Sequence, residues 1–282
     1  MPYSNEVVFD AMIIKAHCKI NIGLNILRRR EDGYHDIETI MVPVRQLYDT
    51  IEVVATTTPT IEFHQSGIVV DCPAEKNLCV RAARLMQAEY GVGGVSITLN
   101  KCVPFGAGLG GGSADATAVI VAIAQIYNLG LSKEVLAELA ARLGSDTPFF
   151  VYDTAQICRG RGEVMTPIEV PLNGLWLAVV KPTNEGVSTA EAYGGVTPRL
   201  PERGLEELIT TPVAGWRNCI GNDFEPHIFA AHPRIAQLKA MLYDKGAIYA
   251  AMSGSGSALF GIFESRPTIE ATEDTFVHIE RM

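Results

Sequence analysis

Residues 104–113 read Pro104-Phe105-Gly106-Ala107-Gly108-Leu109-Gly110-Gly111-Gly112-Ser113, which places five glycines in seven positions. They follow Val95-Ser96-Ile97-Thr98-Leu99-Asn100-Lys101, whose apolar and polar residues alternate as in a half-exposed strand. After them comes a mostly apolar stretch, 114–128, that reads as a helix. With side chains nearly absent, backbone N–H groups can converge on one anion. The following helix start adds about half a positive charge, and Ser113 can add a hydroxyl. This strand, loop and helix read as a phosphate cradle. The bland competitor, a turn that needs glycine only for positive φ, suits a shorter run.

Two better-known cradles fit less well. Gly106-x-Gly108-x-x-Gly111 has the dinucleotide spacing, but that motif follows a parallel strand buried on both faces, whereas 95–101 alternates and Pro104 intervenes. The Walker spacing fits Gly106, Gly111 and Ser113, yet Gly112 stands where its lysine belongs. A cation for a terminal phosphate must therefore come from elsewhere, and Lys19, Lys101 and Arg161 are the candidates.

Outward from the loop, 11–27, 39–44 and 50–56 pattern as strands, with the turn-rich Arg28-Arg29-Arg30-Glu31-Asp32-Gly33-Tyr34-His35 between the first two. Helical periodicity runs from Asn77 to Tyr90 and stops at Gly91. Ser132 opens another helix, which ends by Gly144. A Gly- and Pro-rich stretch then precedes the apolar strand 175–182. The expected division is 1–165 for an N-terminal domain and 166–282 for a C-terminal one. A helix over 233–244, with proline in its first turn, and two apolar strands flanking Ser253-Gly254-Ser255-Gly256-Ser257 complete an α+β pattern, too irregular for a wound parallel sheet.

The chain has 282 residues, 48% hydrophobic and 20% charged, which excludes disorder, collagen and coiled coil. Lys and Arg number 23 against 32 Asp and Glu, a net charge of −9. That balance argues against nucleic-acid or membrane partners and leaves a small anionic ligand possible. The opening MPYSNEVVFDAMII carries Glu6 and Asp10 and lacks a basic start, which argues against a secretory signal. Six cysteines without a Cys-x-x-Cys pair fit reduced thiols, so the expected location is cytoplasmic.

Three segments together resemble the GHMP kinase superfamily: Lys19-Ile20-Asn21, the glycine loop, and Ser253-Gly254-Ser255-Gly256. Asp32-Gly33-Tyr34-His35, Asn77-Leu78, Gly144-Ser145-Asp146-Thr147-Pro148-Phe149-Phe150, Gly160-Arg161-Gly162-Glu163 and Asn222-Asp223-Phe224-Glu225-Pro226 are similar to the branch that acts on a cytidine diphosphate-linked methylerythritol. The resemblance implies an ATP- and Mg²⁺-dependent phosphoryl transfer to the 2-hydroxyl of that alcohol. It also implies a ribosomal protein S5 domain 2-like N-terminal domain and a ferredoxin-like C-terminal one.

By the same resemblance, Asp146 is the base and Lys19 the cation beside it. Alone, the first would read as a turn carboxylate and the second as a solvated strand residue. Asn77, Lys101, Pro104, Gly106, Gly108, Leu109, Gly110, Gly111, Gly112 and Ser113 are expected around ATP. Asn21, Tyr34, His35, Thr189, Tyr193, Ser253 and Gly254 are expected around the substrate, with the aromatics on its base. No metal ligand is assigned. The rivals are a homoserine or mevalonate kinase of the same superfamily and a nucleotide sensor without transfer. Ser113-Ala114-Asp115 departs from the more frequent Ser-Ser/Asp-Ala, and His17-Cys18 from Pro-Ala before the lysine.

Overall fold

The computed structural model describes residues 11–70 and 72–282. Residues 1–10, which carry much of the reading against a secretory signal, lie outside them. In chain order the elements are β1 (Ala11–Arg29), β2 (His35–Ala55), β3 (Ile61–Gly67), α1 (Leu78–Tyr90), β4 (Val95–Lys101), α2 (Gly111–Ile126), α3 (Lys133–Ala141), α4 (Phe149–Tyr152), β5 (Gln156–Gly160), β6 (Val164–Pro167) and β7 (Trp176–Pro182). There follow α5 (Thr189–Gly194), α6 (Leu205–Leu208), α7 (Glu225–Ala231), α8 (Pro233–Asp244), β8 (Tyr249–Met252), β9 (Leu259–Phe263) and β10 (Thr275–Arg281). This is an α+β chain, as its pattern predicts.

Its contacts divide it into two compact units. The first holds the described part of Met1–His17 with Tyr48–Val103 and Gly111–Tyr152; the second holds Cys18–Leu47, Pro104–Gly110 and Asp153–Met282. A single cut at 165 therefore does not follow the division by contacts, because β1 and β2 each run through both units. The Gly/Pro-rich stretch near 160 instead makes the β5–β6 hairpin, whose strands pair antiparallel from Gln156 opposite Pro167.

In the first unit β4 pairs antiparallel with β2 and parallel with β3. Val95, Ile97 and Leu99 are buried while Asn100 is exposed, so the alternation read from the sequence aims one face inward. Asn77 caps α1, accepting from Cys79 N–H at 2.9 Å, and Gly91 ends it at φ 62°. Buried Ala82, Ala83 and Met86 of α1 share a core with Val119, Ile120 and Ile123 of α2. That helix is buried on nearly every side, which its run of alanines permits.

In the second unit the first part of β2 pairs with β5, and a separate antiparallel sheet has the order β10-β7-β9-β8. Ile235, Leu238 and Leu242 of α8 join buried Ala178, Val180 and Leu259 of that sheet in one core. Each such aliphatic side chain contributes roughly 1.5–3 kcal/mol by leaving water. The segments read as two strands at 39–44 and 50–56 are one continuous strand. Glu280 carboxylate oxygens accept from the N–H groups of Arg45 and Gln46 at 3.1 and 3.0 Å, which carries the strand across these two exposed residues.

Candidate active site

The second unit gathers the expected substrate residues and the glycine loop up to Gly110. Gly106, Gly108 and Gly110 stand at φ 60°, 73° and 71°, whereas Ala107 and Leu109 are not left-handed. Alternation of this kind turns successive N–H groups toward one side of the loop and makes a nest for an anion. A side chain at Gly108 is impossible without rearrangement, since a Cβ there would lie 1.9 Å from the Ser253 carbonyl oxygen.

Lys19, on β1, is buried at 2% exposure. Its Nζ donates to Asn21 Oδ1 and to the Gly108 carbonyl, both at 2.6 Å. The same carbonyl accepts from Ser253 Oγ at 2.9 Å, while Asn21 N–H donates to Ser253 Oγ at 3.2 Å. Asn21 Nδ2 donates to Thr39 Oγ1 at 3.0 Å, which in turn donates to the Gly23 carbonyl. Lys19, Asn21, Gly108, Ser253 and Gly254 thus form one bonded cluster, with Gly254 seated against Asn21 and Gly108.

Two contributors escaped the sequence reading. Thr39 is an ordinary β-branched strand residue and carries no signal. Asn222 belongs to the quoted Asn-Asp-Phe-Glu-Pro segment, and its Nδ2 donates to the carbonyls of Met252 and Gly254 at 2.8 Å each, fixing the serine turn.

The aromatic residues divide. His35 stacks on Tyr193, with ring centroids 4.8 Å apart and planes inclined 26°, and Tyr193 meets Phe224 edge-on at 4.9 Å. Burial, with help from Arg29, holds the His35 imidazole below the ordinary histidine range. Tyr34 stays outside this row, 57% exposed, with the Arg161 guanidinium 4.9 Å above its ring. Arg161 is therefore a neighbour of the aromatic region. Thr189 opens α5 and is exposed.

In the first unit the outcome is mixed. Ser113 sits in the first turn of α2 and its carbonyl accepts from Thr117 Oγ1 at 3.0 Å. Asp146 lies in the turn before α4, where its carbonyl accepts from Phe149 N–H at 3.2 Å. Asn77 spends its side-chain oxygen on the cap of α1. Lys101 differs from the expectation of a cation open to a nucleotide: it is 2% exposed, with Nζ bonded to Asp49 and, at 2.9 Å, to Asp115. An ammonium at the buried end of a strand needs such counter-charges, and they take it away from the surface.

The profile of the GHMP kinases N terminal domain matches residues 77–154, and that of the GHMP kinases C terminal domain matches 205–276. A 4-diphosphocytidyl-2-C-methyl-D-erythritol kinase of Parabacteroides distasonis is 44% identical over 257 residues, 91% of this chain and 93% of that protein. A crystal structure of 4-(cytidine 5'-diphospho)-2C-methyl-D-erythritol kinase matches at TM-score 0.72 and 34% identity, covering 89% of this chain and 90% of the other. The homoserine kinase of Cytophaga hutchinsonii, at TM-score 0.67 and 17% identity over 99% of this chain and 96% of its own, shares the fold.

Proposed function

This chain belongs to the GHMP kinases and, within them, to the 4-diphosphocytidyl-2-C-methyl-D-erythritol kinases, and from that membership we propose how its residues transfer the terminal phosphoryl of ATP to the substrate 2-hydroxyl. The product is the 2-phosphate, with ADP released, a step toward isoprenoid precursors. The observation that carries the assignment of roles is the buried Lys19 ammonium bonded to the glycine loop at Gly108.

Phosphoryl transfer needs positioning and charge stabilisation more than covalent help from the protein. The nest of 106–110 and the start of α2 offer main-chain donors to the polyphosphate. Lys19, held by Asn21 and the Gly108 carbonyl, stabilises the charge that grows on the transferring group. Asp146 accepts the proton of the 2-hydroxyl as its oxygen bonds to the γ-phosphorus and the bond to ADP breaks. His35 and Tyr193, with Tyr34 beside them, receive the cytosine by stacking and by a hydrogen bond to the neutral imidazole.

Mg²⁺ bound with the nucleotide would supply neutralisation of the phosphate charge in a reaction of this kind. Among the described residues no group of three or more His, Cys, Asp or Glu is placed to hold a metal. Ser113 would offer the ion a hydroxyl, with water completing its shell, the usual mode for a cation that dehydrates reluctantly.

A coupled ADP-release assay over the cytidylyl alcohol, mevalonate and homoserine tests the assignment. Turnover is expected with the first alone. Preference for either of the others would overturn the reading of His35 and Tyr193 as a base site.

A further inference from the structure

The first unit carries a buried trio of charged residues that the transfer chemistry leaves unused. Asp49 of β2, fully buried, accepts through Oδ1 from the N–H groups of Cys102 and Val103 at 2.6 and 2.8 Å and through Oδ2 from Lys101 Nζ. Lys101 ends β4, and Cys102 and Val103 lead from it into the glycine loop. Lys101 Nζ also donates to Asp115 Oδ2, which belongs to the opening turns of α2, at 2.9 Å. A Cβ on Gly111 would lie 3.0 Å from that nitrogen, so the ammonium lies directly behind the first residue of the helix.

We propose that Asp49, Lys101 and Asp115 form a positioning clamp without net charge, an aspartate, an ammonium and a carboxylic acid, that fixes the strand before the glycine loop and the helix after it for nucleotide binding. The clamp rests on the reading of this loop as the ATP site.

The charge states follow from the bonds. Two ionised carboxylates and one ammonium would leave a buried negative charge behind a loop that must receive an anion, an arrangement that burial opposes strongly. Asp49 meets two N–H donors and the ammonium, the environment of an ionised carboxylate. Asp115 Oδ2 meets one ammonium, and its buried Oδ1 has no hydrogen-bond partner. Asp115 is accordingly the acid. Burial, reinforced by the charge of Asp49 and opposed by that of Lys101, pushes its carboxyl up to about 8. Cys79 of α1 also lies close to the trio; burial raises its thiol and keeps it neutral.

The two aspartates should therefore respond differently to the same substitution. ADP and CDP binding are measured by calorimetry on wild type, Asp49→Asn and Asp115→Asn between pH 7 and 9, above the last phosphate ionisation at about 6. Asp49→Asn is expected to weaken ADP at least tenfold and leave CDP within twofold. Asp115→Asn, which mimics the neutral acid, is expected to keep both affinities within twofold at pH 7. Wild type should lose ADP affinity toward pH 9 as Asp115 ionises, and Asp115→Asn should not.

Equal loss of ADP and CDP binding in Asp49→Asn, or no loss of either, would overturn the clamp. So would identical ADP profiles in wild type and Asp115→Asn. If Asp49→Asn does not fold, the pH comparison decides alone. Wild-type turnover of the cytidylyl alcohol is followed separately, so a failure of the functional reading would be distinct from a failure of the clamp.

Discussion

Asp146 and His35 each have a proposed role that one measurement can test. Asp146→Asn keeps the shape of the side chain and removes its basicity. Turnover should fall by a factor on the order of 10²–10⁴ while ADP binding persists, as kinetics beside calorimetry would record. Full activity would remove the base. His35 is held below the ordinary histidine range by burial and by Arg29, so its imidazole is neutral at pH 7. The KM for the cytidylyl substrate should accordingly start to rise on acidification only below the pH at which an ordinary histidine charges. A rise in KM already at pH 7 would contradict a neutral acceptor. Lys19 was legible only by its company, since a lone lysine in an alternating strand reads as solvated, and its burial follows from partners at Asn21 and Gly108.

Among the elements, the glycine loop and α1 carry the clearest consequences. Gly108 combines φ 73° with a Cβ position 1.9 Å from the Ser253 carbonyl, so Gly108→Ala must displace either the loop or the serine turn. ADP affinity should drop more than tenfold by calorimetry, whereas Gly106→Ala, strained but meeting no atom within 4 Å, should lose less. Asn77→Ala removes the cap of α1 at about 1 kcal/mol, and Asn77→Ser should restore it. Thermal melts would show the loss and its recovery. An ADP affinity that remains low in the serine variant would mark a nucleotide contact beyond capping. Strand 95–101, the stop at Gly91 and the helix 233–244 were readable because period and punctuation are local. The continuity of β2 was not, because Glu280, far along the chain, supplies the acceptors that carry it past Arg45 and Gln46.

For the whole molecule, a net charge of −9 is compatible with anionic substrates on the proposed roles, in which local donors, the nest amides and the Lys19 ammonium, outweigh a diffuse field at contact distance. The buried trio bears on stability with a definite sign. Asp115 has a raised pKa in the folded chain, so folding takes up a proton between the unfolded value near 3.8 and about 8, and stability declines across that window as pH rises. Asp115→Asn should therefore raise the melting temperature more at pH 8 than at pH 5, at roughly 2–4 °C per kcal/mol gained. An equal rise at both would refute the buried acid. The amino-acid sequence alone determined the α+β class, the kinase family and the glycine loop between strand and helix, because periodicity, glycine content and motif order are properties of neighbouring residues. Only the tertiary structure decided that Lys101 faces inward to two aspartates, that Tyr193 rather than Tyr34 stacks on His35, and that Thr39 and Asn222 support the site. Those outcomes depend on which distant partners satisfy a buried charge, ring or amide, and spacing along the chain does not encode that choice.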